Sequence, residues 1–174
     1  MTWTSFHNRG EILRNVIDVA NARLDGRLPT DVDGVGATFD DELDLLCTLQ
    51  LKWHTRLAGR IERELMAQPL DLESAVVHAW HGVADELPGV RAILDAYRAE
   101  PVDAEMAHAI SKSRAKEHML LAVMAGHASV ADERAVPVGE RIEERARASY
   151  VPVPPELGAG RPSLLDRIRA VLAA

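Results

Sequence analysis

The sequence predicts an all-α fold, an up-and-down helical bundle of four to five helices followed by a C-terminal helical arm. Three observations support this prediction. The strong helix formers Ala, Leu, Arg and Glu are abundant, whereas aromatic residues make up only 4% of the chain. Apolar residues recur at helical spacing along most of the sequence. Prolines, glycines and capping residues divide that pattern into segments of helical length.

The length and composition fit one globular domain with a tail. The 174 residues are 47% hydrophobic and 27% charged, which is ordinary for a protein with a core. We expect residues 1–150 to form the bundle and residues 151–162, rich in proline and glycine, to form an extended linker. Residues 163–174 then predict a short helix that must dock on the bundle or on a partner, because so short a helix is not stable alone in water.

The charge and the cysteine content exclude several classes of protein. A net charge of −7 argues against general binding to nucleic acid. No run of about 18 apolar residues is present, so we expect no membrane partner. Cys47 is the only cysteine, which excludes an internal disulfide, and residues 1–10 lack the apolar run of a secretory signal. We therefore expect a cytoplasmic protein, and its Arg-rich, Ala-rich composition indicates a bacterial source.

The first half of the pattern contains two helices separated by an acidic loop. The first helix is predicted at residues 5–24, where Gly26 and Pro29 end it. The loop takes residues 25–39 and is rich in Asp and Gly. The second helix is predicted at residues 39–67, and its length of about 40 Å suits the central element of a bundle.

Prolines and aspartate caps delimit the rest of the pattern. They predict four further helices, at residues 71–87, 90–97, 103–125 and 140–149. Asp71 and Asp103 stand where a carboxylate accepts hydrogen bonds from the first-turn backbone N–H groups. The last of these helices consists mostly of Glu and Arg, so we expect it to be polar.

Polar side chains interrupt the apolar stripes of the second and fifth helices. On a projection of about 100° per residue, His54 lies mid-stripe with Gln50 one turn before it. The other residues predicted on that buried face are Leu43, Cys47, Ala58, Ile61 and Leu65. Glu117 is similarly central on the fifth helix, with Ser113 one turn before it and Arg114 beside the stripe. These five polar residues are the candidates for a site in the core.

A buried carboxylate must be paired, protonated or bound to a ligand, because burying an isolated charge is costly. One interpretation is a structural hydrogen bond from His or Arg to Glu117 that fixes the helix register. The other is a site between the second and fifth helices, with Glu117 as base or anionic ligand, His54 as acid or co-ligand, and Gln50 as the orienting group. The chain would then bind a small ligand or a metal, as a binding protein or an enzyme, and the sequence does not identify the cofactor.

Two further clusters could bind metal. His78, His81 and Asp85 follow one edge of the third helix at spacings of three and four residues, although a solvated polar edge has the same pattern. The acidic loop resembles an EF-hand calcium loop over residues 31–42, with Asp31, Asp33 and Glu42 at positions 1, 3 and 12. Position 5 is a valine, which supplies no side-chain ligand. The alternative is a glycine-turned connection whose acids favour the positive start of the next helix.

Three functional hypotheses follow from the sequence. We favour a non-catalytic helical interaction or regulatory protein, because no catalytic motif is present and residues 163–174 call for a docking surface on a protein partner or on a second copy. The second hypothesis is a bundle that binds a small ligand or metal through His54 and Glu117. The third is calcium binding at residues 31–42.

Overall fold

The computed structural model describes residues 3–152, with side chains from residue 9 onward. Within that range the chain is all-helical, with seven α-helices, one 3₁₀ turn and no strand. The helices are α1 (Trp3–Arg23), α2 (Val35–Thr38), α3 (Glu42–Met66), α4 (Leu72–Glu86), α5 (Pro88–Ala99), α6 (Ala104–Met124) and α7 (Val136–Ser149). The fold class predicted from the sequence is confirmed. The docking helix predicted at residues 163–174 lies outside the described residues, as does the linker from residue 153 onward.

Aspartate caps fix the starts of three helices. At the first turns of α3, α4 and α6, a side-chain oxygen accepts a hydrogen bond from the backbone N–H three residues further on, and these caps are Asp41, Asp71 and Asp103. Each bond satisfies one of the backbone donors that a helix start leaves unpaired. Because the caps are local in sequence, the predicted starts of these helices agree with the structure to within a few residues.

The acidic connection between α1 and α3 is more ordered than the predicted loop. The backbone N–H of Phe39 donates to the carbonyl of Val35 at 2.9 Å, and the Thr38 hydroxyl donates to the carbonyl of Gly34 at 2.7 Å. These bonds close the short helix α2. Val35 and Phe39 are buried, so apolar anchoring holds this turn against the body of the protein.

The helix α7 is longer and less polar than expected. It begins at Val136 rather than at residue 140, directly after a 3₁₀ turn at Glu133–Ala135. Its buried residues recur at spacings of three and four, and they are Gly139, Ile142, Glu143 and Ala146. This face packs on α6 and α4, so α7 is part of the bundle and not a solvated appendage.

The bundle is organised around α3, which packs against α4, α5 and α6. Two further pairs complete it, α1 on α5 and α6 on α7. At its centre Trp53 from α3 and Trp80 from α4 meet edge to face, with ring centroids 5.7 Å apart. None of the described helices is both long and apolar enough to cross a membrane.

The buried face of α3 differs from the predicted one. Its buried side chains are Leu45, Leu46, Leu49, Trp53, Leu57 and Ile61. The centre of that face lies about 90° around the helix from His54. Cys47, which was expected to be buried, is therefore exposed, and Gln50 and His54 are only half-buried. The prediction was wrong because α3 has two neighbouring apolar faces, of which the longer leucine-rich one turns inward.

Gly139 sets the separation of α6 and α7. A Cβ atom at this position would lie 1.8 Å from the carbonyl oxygen of His118, which is far inside van der Waals contact. The two helix backbones can approach this closely only because glycine has no side chain. Gly59, in the middle of α3, has no atom within 4 Å of such a Cβ.

We predict that Gly139→Ala destabilises the protein by about 1–3 kcal/mol or more, because α7 must move away from α6 to relieve the overlap. Gly59→Ala is the matched control, and we expect it to stabilise the fold by about 0.5–1 kcal/mol because alanine favours the helix. Urea unfolding followed by circular dichroism measures both free energies. Equal effects of the two substitutions would contradict the close approach of α6 and α7.

Candidate functional site

Glu117 is buried in the core, as its position in the α6 stripe predicts, with a relative exposure of 3%. Its carboxylate accepts hydrogen bonds from Trp53 Nε1 at 3.1 Å and from Gln50 Nε2 at 3.3 Å. Both donors lie on α3, so the three side chains join α3 to α6. Glu117 was expected to pair with His54, but its hydrogen bonds come from these two neutral donors instead.

Three of the five candidate residues line one groove between α3 and α6. Gln50 and His54 form one wall and Ser113 lies on the other, in a recess of about 250 Å³. Cys47, Leu51 and Lys116 complete the lining. The second hypothesis requires a cavity between these two helices, and the structure has one there. The recess opens to solvent, so it is a surface groove and not a core cavity.

Arg114 faces away from this groove, toward α7. Its guanidinium lies 3.4 Å from Glu140 and 4.0 Å from Glu143. Its role is therefore to join α6 to α7, and it has no part in the groove lined by Ser113.

A second buried carboxylate belongs to Glu143 of α7, whose side chain is 6% exposed. His118 Nε2 donates to one carboxylate oxygen at 2.7 Å. Arg147 Nε donates to the other oxygen at 2.8 Å, and Arg98 lies 3.3 Å from that same oxygen. A buried carboxylate is stable here because donors from α5, α6 and α7 surround it.

The ion-pair network continues from Arg147 to Asp95. Arg147 forms a two-bond pair with Asp95, at 2.7 and 3.0 Å, and Arg91 reaches the same carboxylate at 2.8 Å. The guanidiniums also lie over the central indoles, Arg91 over Trp53 at 4.7 Å and Arg147 over Trp80 at 5.4 Å. The guanidiniums of Arg91 and Arg147 therefore pack directly against the aromatic core.

The pKa values of this network follow from its geometry. Burial alone would raise the pKa of Glu143, but the hydrogen bond from His118 and the charge of Arg147 outweigh it and hold the pKa well below its usual range. Burial likewise opposes the charge of Asp95, yet Arg147 and Arg91 lower its pKa. The pKa of Arg147 is raised, since its bonds to Asp95 and Glu143 outweigh its burial. All three groups are therefore held charged, as ion-pair partners and not as proton donors or acceptors near neutral pH.

The sequence analysis missed His118 and Glu143 as partners. His118 was not among the candidate residues, and Glu143 lies in the helix that was expected to be polar. A signal was present in the sequence, because Val138, Ile142 and Ala146 recur every four residues and Glu143 lies next to that stripe. The predicted start at residue 140 cut this pattern short.

The edge of α4 that carries His78, His81 and Asp85 is occupied by the end of α7. His81 Nε2 lies 2.8 Å from the carbonyl oxygen of Ala146, and the Tyr150 hydroxyl donates to Asp85 at 2.8 Å. Burial, followed by the hydrogen bond to Asp85, raises the pKa of Tyr150 to about 12. His78 is exposed. The structure thus gives His81 and Asp85 separate contacts that hold the C-terminal end of α7.

The acids of the loop between α1 and α3 have different partners. Asp31 forms a two-bond pair with Arg23, at 2.6 and 2.8 Å, and the bond lowers the pKa of Asp31. Asp33 is exposed, and Glu42 opens α3. Among residues 3–152, no three His, Cys, Asp or Glu side chains are grouped so that they could hold a metal ion. Metal binding by either predicted cluster stays a prediction.

A larger groove lies between the start of α4, the end of α6 and α7. It encloses about 520 Å³ and is lined by Glu73, His127, Val138, Arg141, Ile142 and Arg145. Glu73 accepts from Arg145 at 2.6 Å and contacts His127 at 2.7 Å, and these two bonds lower the pKa of Glu73. Val138 and Ile142 form an apolar floor between the charged groups. We call this recess the α4–α7 groove.

Three apolar side chains are exposed at the turn that leads into α4. Met66 is 82% exposed, Leu70 is fully exposed, and Leu72 is 40% exposed, all at the corner between α3 and α4. A Cβ at Gly126 would lie 3.1 Å from Leu72, so the corner reaches the end of α6. Leu72 directly precedes Glu73, which lines the α4–α7 groove.

We predict that Glu143→Gln destabilises the protein by about 3 kcal/mol near pH 7, because it leaves arginines without their buried counter-charge. The pKa of Glu143 is lower in the folded state than in the unfolded state, so its contribution is complete above the unfolded value of about 4.3 and is lost as pH falls toward the folded value. The gap in melting temperature between wild type and variant should therefore narrow as pH falls below about 5.

The matched control for this measurement is Glu144→Gln, at the exposed neighbouring position. We expect it to change stability by less than about 0.5 kcal/mol and to follow the wild-type pH profile. A constant gap between wild type and Glu143→Gln from pH 7 to about pH 3 would show that the charge of Glu143 does not stabilise the fold.

The described residues thus form several surface recesses, of which the α4–α7 groove and the groove between α3 and α6 contain the residues discussed above, and one ion-pair network. Comparison of the chain with family models, with curated proteins and with solved structures returned no significant match. The function is therefore argued from these three features.

Proposed function

We propose that this chain is a non-catalytic helical protein that acts by binding an acidic, amphipathic segment of another protein in the α4–α7 groove. The observation that carries this proposal is the groove of about 520 Å³, whose lining combines two apolar side chains, Val138 and Ile142, with two arginines, Arg141 and Arg145. A surface that offers apolar contact beside a cationic rim suits a segment with an apolar face and carboxylates next to it.

The charge of the α4–α7 groove favours an acidic occupant. Glu73 is shared between Arg145 and His127, so one carboxylate serves two basic groups. Arg141 is exposed and has no ion-pair partner among the described residues. The lining is therefore cationic on a chain whose net charge is −7. Residues 163–174 of the chain itself are less complementary, since Arg167 and Arg169 outnumber Asp166.

The apolar corner supplies the second half of the proposed surface. Met66 and Leu70 expose most of their side-chain area to solvent. Contact of an apolar side chain with water does not stabilise the fold. Several large apolar side chains exposed within a few residues of one another are typical of a protein-binding surface. Bound helices of this kind place apolar residues one turn apart, which matches the spacing of Val138 and Ile142 on α7.

The buried charges support a non-catalytic function. Glu117 receives bonds from Trp53 and Gln50, and Glu143 is held charged by His118 and Arg147. A general base needs a pKa near the working pH, whereas the pKa of Glu143 is driven far from it. These carboxylates are better suited to fixing helices than to proton transfer.

The test uses the full-length protein and two fluorescein-labelled synthetic helices of about 16 residues. Both carry leucines on one face, and the opposite face carries glutamates in one peptide and lysines in the other. We expect the acidic peptide to bind at least about tenfold more tightly in fluorescence anisotropy at physiological salt. Equal binding of the two peptides, or tighter binding of the lysine peptide, would overturn the proposal.

Arg141→Glu locates the binding to the α4–α7 groove. We expect it to weaken the acidic peptide about tenfold, because it replaces the open positive charge by a negative one. Arg14→Glu makes the same charge change on an exposed position of α1 and should alter affinity by less than about twofold. An equal loss in both variants would mean that only net charge matters, and would contradict a specific groove.

Sedimentation of the full-length protein alone distinguishes a heterologous partner from a second copy. We expect the chain to sediment as a monomer, which leaves the groove open to another protein. A dimer that Arg141→Glu dissociates would make a second copy the occupant and would contradict the proposed partner.

A further inference from the structure

The structure assigns a second binding site, for a small carboxylic acid, to the groove between α3 and α6. This site is distinct from the α4–α7 groove and does not depend on the proposed function. Its lining combines Lys116, His54, Ser113 and Gln50 with the apolar edge of Leu51. Side chains of these types orient a small polar ligand when they converge in one recess.

Three side chains that line the groove have hydrogen-bonding groups without a partner in the described residues. Among the described residues, no hydrogen-bond or ion-pair partner is present for Lys116, His54 or Ser113. Thr48 and Thr55 on the facing helix return their hydroxyls to the carbonyl one turn earlier, each at 2.8 Å. Ser113 makes no such bond, so its hydroxyl remains free to donate into the groove. An ammonium, an imidazole and a hydroxyl together suit the two oxygens of a carboxylate.

The amide of Gln50 is the fixed element of this site. Its nitrogen donates a hydrogen bond to buried Glu117, which also accepts one from Trp53. These bonds fix the orientation of the amide. With the nitrogen committed, the amide oxygen remains as an acceptor. A ligand that matches both halves of the lining carries a carboxylate and a neighbouring hydroxyl or ammonium donor. Small hydroxy acids and amino acids are the ligands with this arrangement.

The size and charge of the groove agree with that class. A volume of about 250 Å³ admits a ligand of a few heavy atoms but not a nucleotide or a large cofactor. Lys116 supplies the positive charge of the lining. Both carboxylate oxygens of Glu117 already accept hydrogen bonds from donors on α3, Trp53 and Gln50. An acid is therefore favoured over a cationic ligand.

Cys47 gives a direct measure of whether the groove is occupied. It lines the groove and is the only cysteine in the chain, so alkylation by iodoacetamide reports on this position alone. Burial, with the nearby Asp44 and Asp41 carboxylates, raises the pKa of its thiol, so the reaction is followed at a fixed pH near 8.5. The probes are L-lactate, L-alanine and methylamine, at equal ionic strength and up to about 50 mM.

We expect L-lactate or L-alanine to slow the alkylation of Cys47 with half-protection at millimolar concentration, and methylamine to have no effect. The more effective of the two acids identifies the hydroxyl or the ammonium as the preferred neighbouring donor. Absence of protection by both acids up to about 50 mM would overturn the inference. Protection by methylamine equal to that by the acids would also overturn it, because it would indicate a site for cations.

Lys116→Met tests whether Lys116 binds the carboxylate of the ligand. The alkylation rate of each variant is normalised to the rate of the same variant without ligand. We expect half-protection to require at least about tenfold more acid, since a charge-assisted hydrogen bond is lost. Lys112→Met is the matched control, one turn away on α6 but outside the groove lining, and should stay within about twofold of wild type. Unchanged protection in Lys116→Met, or an equal loss in Lys112→Met, would contradict the site. Ser113→Ala gives a second, uncharged test and should weaken protection about threefold or more.

Discussion

The fold depends on the burial of the Glu143 carboxylate among basic side chains from three helices. A negative charge in this position would be costly if it were alone, and it is stable only because His118 donates from α6 while Arg98 and Arg147 approach from α5 and α7. The same network continues to Asp95 and Arg91. Correct docking of α7 is therefore required for these charges to be neutralised.

The position of α7 in turn creates the surface that we propose as the binding site. Its inward face carries Gly139, Glu143 and Ala146, and the absence of a side chain at Gly139 lets α7 approach α6 backbone to backbone. Its outward edge presents Arg141 and Arg145 to the α4–α7 groove. The inward face of α7 thus carries a paired negative charge, Glu143, while its outward edge carries positive charges. Helical periodicity places these residues on different sides of the same helix.

The interactions that could be predicted from the sequence are local ones. The helix boundaries at Asp71 and Asp103 follow from capping, which involves residues three apart. The burial of Glu117 followed from its place in an apolar stripe. The orientation of α3 could not be predicted, because both of its apolar faces have helical periodicity. Tertiary packing selects the face with Trp53, and this leaves His54 at a groove instead of in the core.

The ion-pair network could not be derived from the sequence for a related reason. Helical spacing connects only Arg91 with Asp95 and Glu143 with Arg147, which are four residues apart. Asp95 lies 52 residues before Arg147, so no local pattern connects the one pair with the other. Periodicity can identify Glu143 as adjacent to the inward face of α7, but only the packing of α7 on α6 shows that His118 is its partner. Long-range pairs between charged residues therefore required the structure.

The most direct test of this account is a double-mutant cycle between Glu143 and Arg147, measured by urea unfolding at pH 7. The single variants are Glu143→Gln and Arg147→Met, and the double variant combines them. We expect a coupling free energy of more than about 1.5 kcal/mol, because the two charged groups lie 2.7 Å apart, Glu143 is buried, and each group loses one of its counter-charges when its partner is replaced. A coupling below about 0.3 kcal/mol would show that the two charges act independently, and would contradict a fold that depends on their pairing.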